Sequence, residues 1–142
     1  MDRVITEEKP DIRVLLVEDQ MINAQITGFM LEQMDAAYVH ALNGEEAVRL
    51  YQEAEPPFDL VLMDYQMPLM DGPTATQAIR RWEVDTLRRA TPIIALTANA
   101  SEQSRQLCLR AGMNGFLTKP VEFAVLQQVI YTHVTRARLG GM

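Results

Sequence analysis

Cysteine is nearly missing from this chain, and Cys108 is its single copy. No internal disulfide is possible, and the helical setting "RQLCLRAG" predicts a small, partly buried filler rather than a nucleophile. Histidine is almost as scarce, with only His40 and His133. Neither has a carboxylate or thiol partner at ligand spacing, so both are assigned to core or surface packing rather than to metal or phosphate chemistry. No window reaches the roughly 18 continuous apolar residues of a membrane span, and the acidic N-terminus "MDRVITEEKPD" has no apolar signal core. A cytoplasmic location is expected, with no membrane contact by this domain. Glycine forms no phosphate loop: GxxxxGK[ST] is absent, so "LVLMD", which looks like a Walker B strand, does not signal a nucleotide enzyme. Positive charge is also short. Thirteen Lys and Arg face nineteen Asp and Glu, for a net charge of -6, which repels polyanions and argues against nucleic acid as a direct partner. Arg80, Arg81, Arg88 and Arg89 do cluster, but they alternate with acids in a polar helical stretch and read as a solvated face.

What the chain does contain is an ordinary globular composition, 48% hydrophobic and 23% charged over 142 residues, enough for one domain with its own core. Short apolar runs alternate with longer amphipathic segments, the pattern of repeated βα units around a parallel sheet. The strands are "IRVLLV" (12 to 17), "AAYVHA" (36 to 41), "DLVLM" (59 to 63), "PIIALT" (92 to 97) and "GFLT" (115 to 118). The first, third and fourth are apolar almost throughout and belong in the centre, covered on both faces. Ile22, Ile26, Phe29 and Met30 repeat at helical spacing and are expected to form one buried stripe; Ala47, Leu50, Tyr51 and Ala54 form another. Gly72-Pro73 opens a third helix. Ser101 caps a fourth that ends at Ala111-Gly112, and the fifth follows Pro120 with a stripe of Leu126, Val129, Ile130 and Val134. Residues 82 to 91 lengthen the third connection as extra helix and loop. The expected fold is α/β, a (βα)5 unit.

In an open parallel sheet, ligands bind beyond the carboxyl ends of the strands. Strand one is followed there by Glu18 and Asp19, strand three by Asp64, strand four ends at Thr97, and strand five precedes Lys119-Pro120. Strand two contributes only the turn Asn43-Gly44, which suits an edge. Three neighbouring carboxylates resist joint ionisation unless a cation neutralises them. Lys119 supplies one charge, and a hard divalent ion with oxygen ligands, Mg²⁺, supplies the rest. A metal-bound phosphate also accounts for Thr97 and Lys119, so the implied chemistry is phosphoryl transfer, with the protein positioning groups and stabilising negative charge. Asp64 is the candidate acceptor. Asp59 begins the same strand about 16 Å away, and Asp71, beside Gly72-Pro73, braces a turn or caps a helix. A haloacid-dehalogenase type phosphatase would want a second aspartate two residues after its nucleophile, where this chain has Gln66.

The acidic pair in "LLVEDQ", the stretch "LVLMDYQMPLMDG", "IIALTANA" and "GFLTKPV" together resemble the receiver domain of two-component response regulators, over about residues 12 to 138. The resemblance implies a flavodoxin-like sheet of order 2-1-3-4-5 with helices on both faces. It also implies that Asp64 is the phosphoacceptor and modified residue, and that Glu18, Asp19 and the carbonyl of Gln66 join Asp64 around Mg²⁺. Thr97 would be the switch hydroxyl, Lys119 the partner of the phosphoryl oxygens before a cis peptide to Pro120, and Phe116 the rotating aromatic. Gln66 and Asn99 would modulate the phosphoaspartate lifetime. "VEDQMIN" and "LTANA" are similar to receivers attached to hybrid sensor histidine kinases, although Gln20 stands where those usually carry Asn. The implied partners are a histidine kinase dimerisation domain or a histidine phosphotransfer domain. The module would catalyse its own phosphorylation and dephosphorylation without a turnover substrate, within a kinase or as a stand-alone regulator acting by protein contact. Residues 12 to 139 form the expected domain, with 1 to 11 an extension or linker and 140 to 142 a tail.

Overall fold

The structure is a computed structural model that describes residues 11–99 and 101–140. Five strands alternate with five helices: β1 (Arg13–Val17), α1 (Met21–Gln33), β2 (Ala37–Ala41), α2 (Gly44–Glu53), β3 (Leu60–Asp64), α3 (Gly72–Asp85), β4 (Ile93–Thr97), α4 (Glu102–Ala111), β5 (Gly115–Thr118) and α5 (Phe123–Gly140). All strand pairs are parallel, in the order β2-β1-β3-β4-β5, as expected. The central β3 and β4 are buried at every position, which is why they read as unbroken apolar runs. The expected extension at 1 to 11 falls outside the described residues except for Asp11, and Gly140 belongs to α5 rather than to a tail.

Alternate strand residues face two separate cores. Val14, Leu16, Leu60, Leu62, Ile94 and Leu96 pack with α1 and α5 through Leu31, Leu126 and Ile130. Leu15, Val17, Val61, Met63, Ile93 and Ala95 pack with α2, α3 and α4 through Tyr51, Ile79 and Cys108. Cys108 is buried, and burial raises its thiol pKa, in keeping with an inert filler. The helix ends follow local chemistry. Asn43, Asp71 and Ser101 accept the amide protons of Glu46, Thr74 and Ser104 as N-caps, and Gly112 closes α4 in the left-handed region.

Two expectations fail. The stripe Ile22, Ile26 and Phe29 of α1 points to solvent, with Ile22 71% and Phe29 62% exposed. The buried face is the opposite one, Ala24, Thr27, Gly28 and Leu31. Both sets recur at helical spacing, and close approach selects the one that carries Gly28: a Cβ there would lie 2.2 Å from the Tyr38 hydroxyl oxygen, so the helix can lie this close to β2 only with a glycine at that point. The second correction concerns Arg80, which is not part of a solvated face. Its guanidinium donates to the carbonyls of Gly112 and Thr91, to Asn114 Oδ1 and to Glu83 Oε1 at 2.8 to 3.0 Å. Glu83, only 2% exposed, also accepts from the Tyr51 hydroxyl at 2.5 Å and from the Thr91 amide at 3.0 Å. Arg80 and Glu83 thus form a satisfied ion pair within α3 that ties it to α2 and to the segment leading into β4, while residues 84 to 90 of the lengthened third connection are exposed, as expected of extra helix and loop.

The α1 assignment has a direct stability test. Leu31→Ala is expected to cost about 2 to 4 kcal/mol, and Phe29→Ala under about 0.5 kcal/mol, in urea unfolding. Equal costs would mean the wrong face has been placed inside.

Candidate functional site

Strand register carries the candidate residues to one edge of the sheet. Val17 pairs with Met63 and Asp64 with Leu96, while Thr97 pairs with Thr118. Glu18 and Lys119, each one residue past its strand, therefore converge on Asp64 from opposite sides. The Lys119 ammonium lies 3.0 Å from Glu18 Oε1 and 3.1 Å from Asp64 Oδ1, and its peptide to Pro120 is cis. Backbone contacts hold these ends in place: the Lys119 amide donates to the Thr97 carbonyl and the Tyr65 amide to the Leu96 carbonyl. His40 Nε2 donates to the Glu18 carbonyl at 2.7 Å, which gives that histidine a structural role in the loop after β1. Gly72 approaches the Asp64 backbone so closely that a Cβ there would lie 2.4 Å from its carbonyl oxygen. Asp71, as the cap of α3, and Gly72 therefore support the acceptor strand without reaching the site. Asp59 lies at the far end of β3, accepting the Arg13 amide proton at 2.8 Å and facing Arg138 at 3.4 Å.

These side chains line a cleft of about 390 Å³. Glu18, Asp19, Asp64, Gln66, Thr97, Asn99 and Lys119 are all among its lining residues. Phe116 is not; it sits half-buried on β5, with the Arg105 guanidinium 4.4 Å from its ring centre. The Thr97 hydroxyl donates to the Asn99 carbonyl at 2.9 Å and accepts from its amide at 3.0 Å. The cleft also takes in Gln20, Asn23, Tyr65, Ala98 and Ser104, which the motifs did not single out. Asn23 and Ser104 reach it from the first turns of α1 and α4, and the signal that could have found them is their place in the first turn of the helix that follows a strand.

The electrostatics are unbalanced. Asp64 and Glu18 are almost fully buried, and burial, then the charge of Glu18, push the Asp64 carboxyl up to about 7 against the pull of Lys119. Burial works against the charge of Lys119, but its hydrogen bond to Glu18 and the charge of Asp64 outweigh that, so its pKa is raised. One oxygen each from Glu18, Asp19 and Asp64 lies within 4.8 Å of the others. An all-oxygen donor set, two members buried and Asp19 half-buried, with surplus negative charge fits a hard divalent cation, and the cluster can hold a metal ion.

Comparison with known proteins agrees with this geometry. The response regulator receiver domain family matches residues 14–131. The sensor protein GacS of Pseudomonas syringae pv. syringae is 44% identical over 118 residues, which is 83% of this chain but 13% of that protein. The chain thus spans a small fraction of that relative's length. A solved complex of the Saccharomyces cerevisiae histidine phosphotransfer signaling protein Ypd1 with the receiver domain of its downstream response regulator Ssk1 is similar at 34% identity and a TM-score of 0.83, covering 89% of this chain and 90% of that one. The receiver domain of the sensor histidine kinase PA1611 from Pseudomonas aeruginosa PAO1, solved with a magnesium ion coordinated in its active site cleft, is 37% identical with a TM-score of 0.78 and covers 89% of this chain and 99% of its own. With acidic cluster, lysine and hydroxyl on the ends of a 2-1-3-4-5 sheet and this family matched over most of its length, the chain belongs to the response regulator receiver domains.

Proposed function

We propose that this domain accepts a phosphoryl group on Asp64 from a phosphohistidine, with Mg²⁺, as one module of a hybrid sensor histidine kinase. The observation that carries the reading is the cluster of buried Glu18 and Asp64 with half-buried Asp19, neutralised only in part by Lys119 at the ends of a receiver-family sheet. The donor would be a histidine kinase dimerisation domain or a histidine phosphotransfer domain; the Ypd1 complex of a relative supports the second. The small share of GacS that the chain matches supports its being a module. The cytoplasm, where phosphoryl groups derived from ATP are available, is the compartment this chemistry requires.

An Asp64 carboxylate oxygen attacks the phosphorus in line. The P–O bond forms as the P–N bond breaks, and the histidine nitrogen leaves with the electron pair and takes a proton from solvent. Glu18, Asp19, Asp64 and the Gln66 carbonyl would hold Mg²⁺, which when bound would neutralise charge on the carboxylates and phosphoryl oxygens. Lys119 is positioned to leave Asp64 and bind a phosphoryl oxygen. Thr97 would exchange its bonds to the Asn99 backbone for another phosphoryl oxygen, and the space it leaves would admit the Phe116 ring. The exposed side chains of Gln66 and Asn99 flank the path of water to the phosphoaspartate and would set its lifetime.

The apolar outer face of α1 is the natural seat of the donor domain. Gln20 and Asn23 at its start line the cleft, and Ile22, Ile26 and Phe29 run on from them in the open. Isolated apolar residues on a surface are ordinary, but a contiguous stripe beside a reactive site signals an interface.

Three outcomes test the reading. Asp64→Asn is expected to abolish labelling by acetyl phosphate with Mg²⁺; a labelled Asn variant overturns the acceptor assignment. Phe29→Asp should slow transfer from a phosphorylated histidine phosphotransfer domain of the same organism by about tenfold, leaving acetyl phosphate labelling unchanged. Because the metal requires ionised Asp64, whose pKa is raised to about 7, Mg²⁺ affinity should increase as pH rises through 7. Below that pH it should fall by about tenfold per unit. Isothermal titration between pH 5.5 and 8.5 reads this, and a flat profile removes Asp64 from the ligand set.

A further inference from the structure

A second cavity, of about 460 Å³, opens at the other end of the sheet from Asp64, about 16 Å away along β3. That volume lies in the range of small-molecule pockets. Tyr51, Phe58, Trp82 and Val134 give it an apolar and aromatic wall, and Arg88, Arg89 and Arg138 line it with positive charge. Only one carboxylate, Asp59, stands among these lining residues, and its two oxygens are already engaged by Arg138 and by the Arg13 amide. Arg138 also donates to the Asp11 carbonyl at 3.0 Å, and Arg89 to the Ala137 carbonyl at 2.7 Å. The Arg88 amide donates to the Glu83 carbonyl at 2.8 Å, but its guanidinium, 5.0 Å over the Trp82 ring, has no carboxylate or hydrogen-bond partner among the described residues. A guanidinium stacked on an indole is held in place while its N–H groups stay free to donate. In a chain of net charge -6, this is a local excess of cation beside an apolar wall.

We propose that this cavity is a binding site for a small aromatic anion, a flat apolar ring bearing a carboxylate or sulfonate. The ring lies against Trp82, Phe58 and Val134, and the acid group receives N–H donors from Arg88 and Arg89. An aliphatic anion leaves the aromatic wall uncovered, and an uncharged ring leaves the guanidinium groups unused. Tyr51 and Thr91 connect the cavity to the buried Glu83 pair, so a ligand here touches the packing of α2, α3 and β4 without entering the Asp64 cleft. The inference does not depend on the phosphoryl chemistry.

Trp82 is the single tryptophan of the chain and reports on its own pocket. Titration of the full chain with 8-anilinonaphthalene-1-sulfonate is expected to quench Trp82 emission to saturation. Arg88→Ala with Arg89→Ala should weaken that binding by about tenfold, whereas uncharged N-phenyl-1-naphthylamine should bind the double variant and the parent alike. Arg88→Gln alone should give a smaller loss of roughly threefold, so the result does not hang on the folding of the double variant. Phe29→Ser, on the exposed stripe of α1, should leave the probe's Kd unchanged. Undiminished sulfonate binding in the arginine variants, or its loss in Phe29→Ser, overturns the site.

Discussion

Parallel pairing in a single register is the constraint on which the molecule depends. Because Val17 stands opposite Met63, Asp64 opposite Leu96 and Thr97 opposite Thr118, the loops after β1 and β5 and the ends of β3 and β4 meet at a common edge. A slip of one residue in any pair would send its side chains to the opposite core and shift its end out of the site, since side chains alternate along a strand. The two cores oppose such a slip. Leu16, Leu62 and Ile94 must stay on the α1 and α5 side, and Leu15, Val61 and Ile93 on the other. Hydrophobic packing thus sets the distance of Lys119 from Asp64 far more firmly than their mutual attraction does.

That rigidity lets the site hold a repulsive arrangement. Three acidic groups share one ammonium in a largely buried cleft, and the raised carboxyl of Asp64 is the cost. Relief comes from whatever brings positive charge, which is why the cluster suits a divalent cation. Thr97, bonded to the Asn99 backbone, and Phe116, under the Arg105 guanidinium, lie along β4 and β5 from that imbalance.

The strands, the caps at Asp71 and Ser101 and the ligand edge were legible in the chain because each depends on local propensity or on the polarity of a parallel sheet. The inner face of α1 was not. Ile22, Ile26 and Phe29 satisfy helical spacing as well as Ala24, Gly28 and Leu31 do, and only the distance of the helix from Tyr38 decides between them. Arg80 and Glu83 were hidden for a related reason. A charged pair three residues apart on a polar helix looks solvated, until the Tyr51 hydroxyl and the Thr91 amide close over it from α2 and β4.

By itself, then, the amino-acid order determined which residues end the strands, where the helices start and stop, and that Glu18, Asp19, Asp64, Thr97 and Lys119 share one edge. Those are matters of period and polarity, carried by near neighbours in the chain. Tertiary structure decided which of two apolar stripes faces water, that an arginine and a glutamate go inside, and that Arg88 and Arg138, fifty residues apart, line one cavity. The reason is physical: close approach, desolvation and the convergence of distant helices arise only when elements pack, and no local pattern encodes the distance between them.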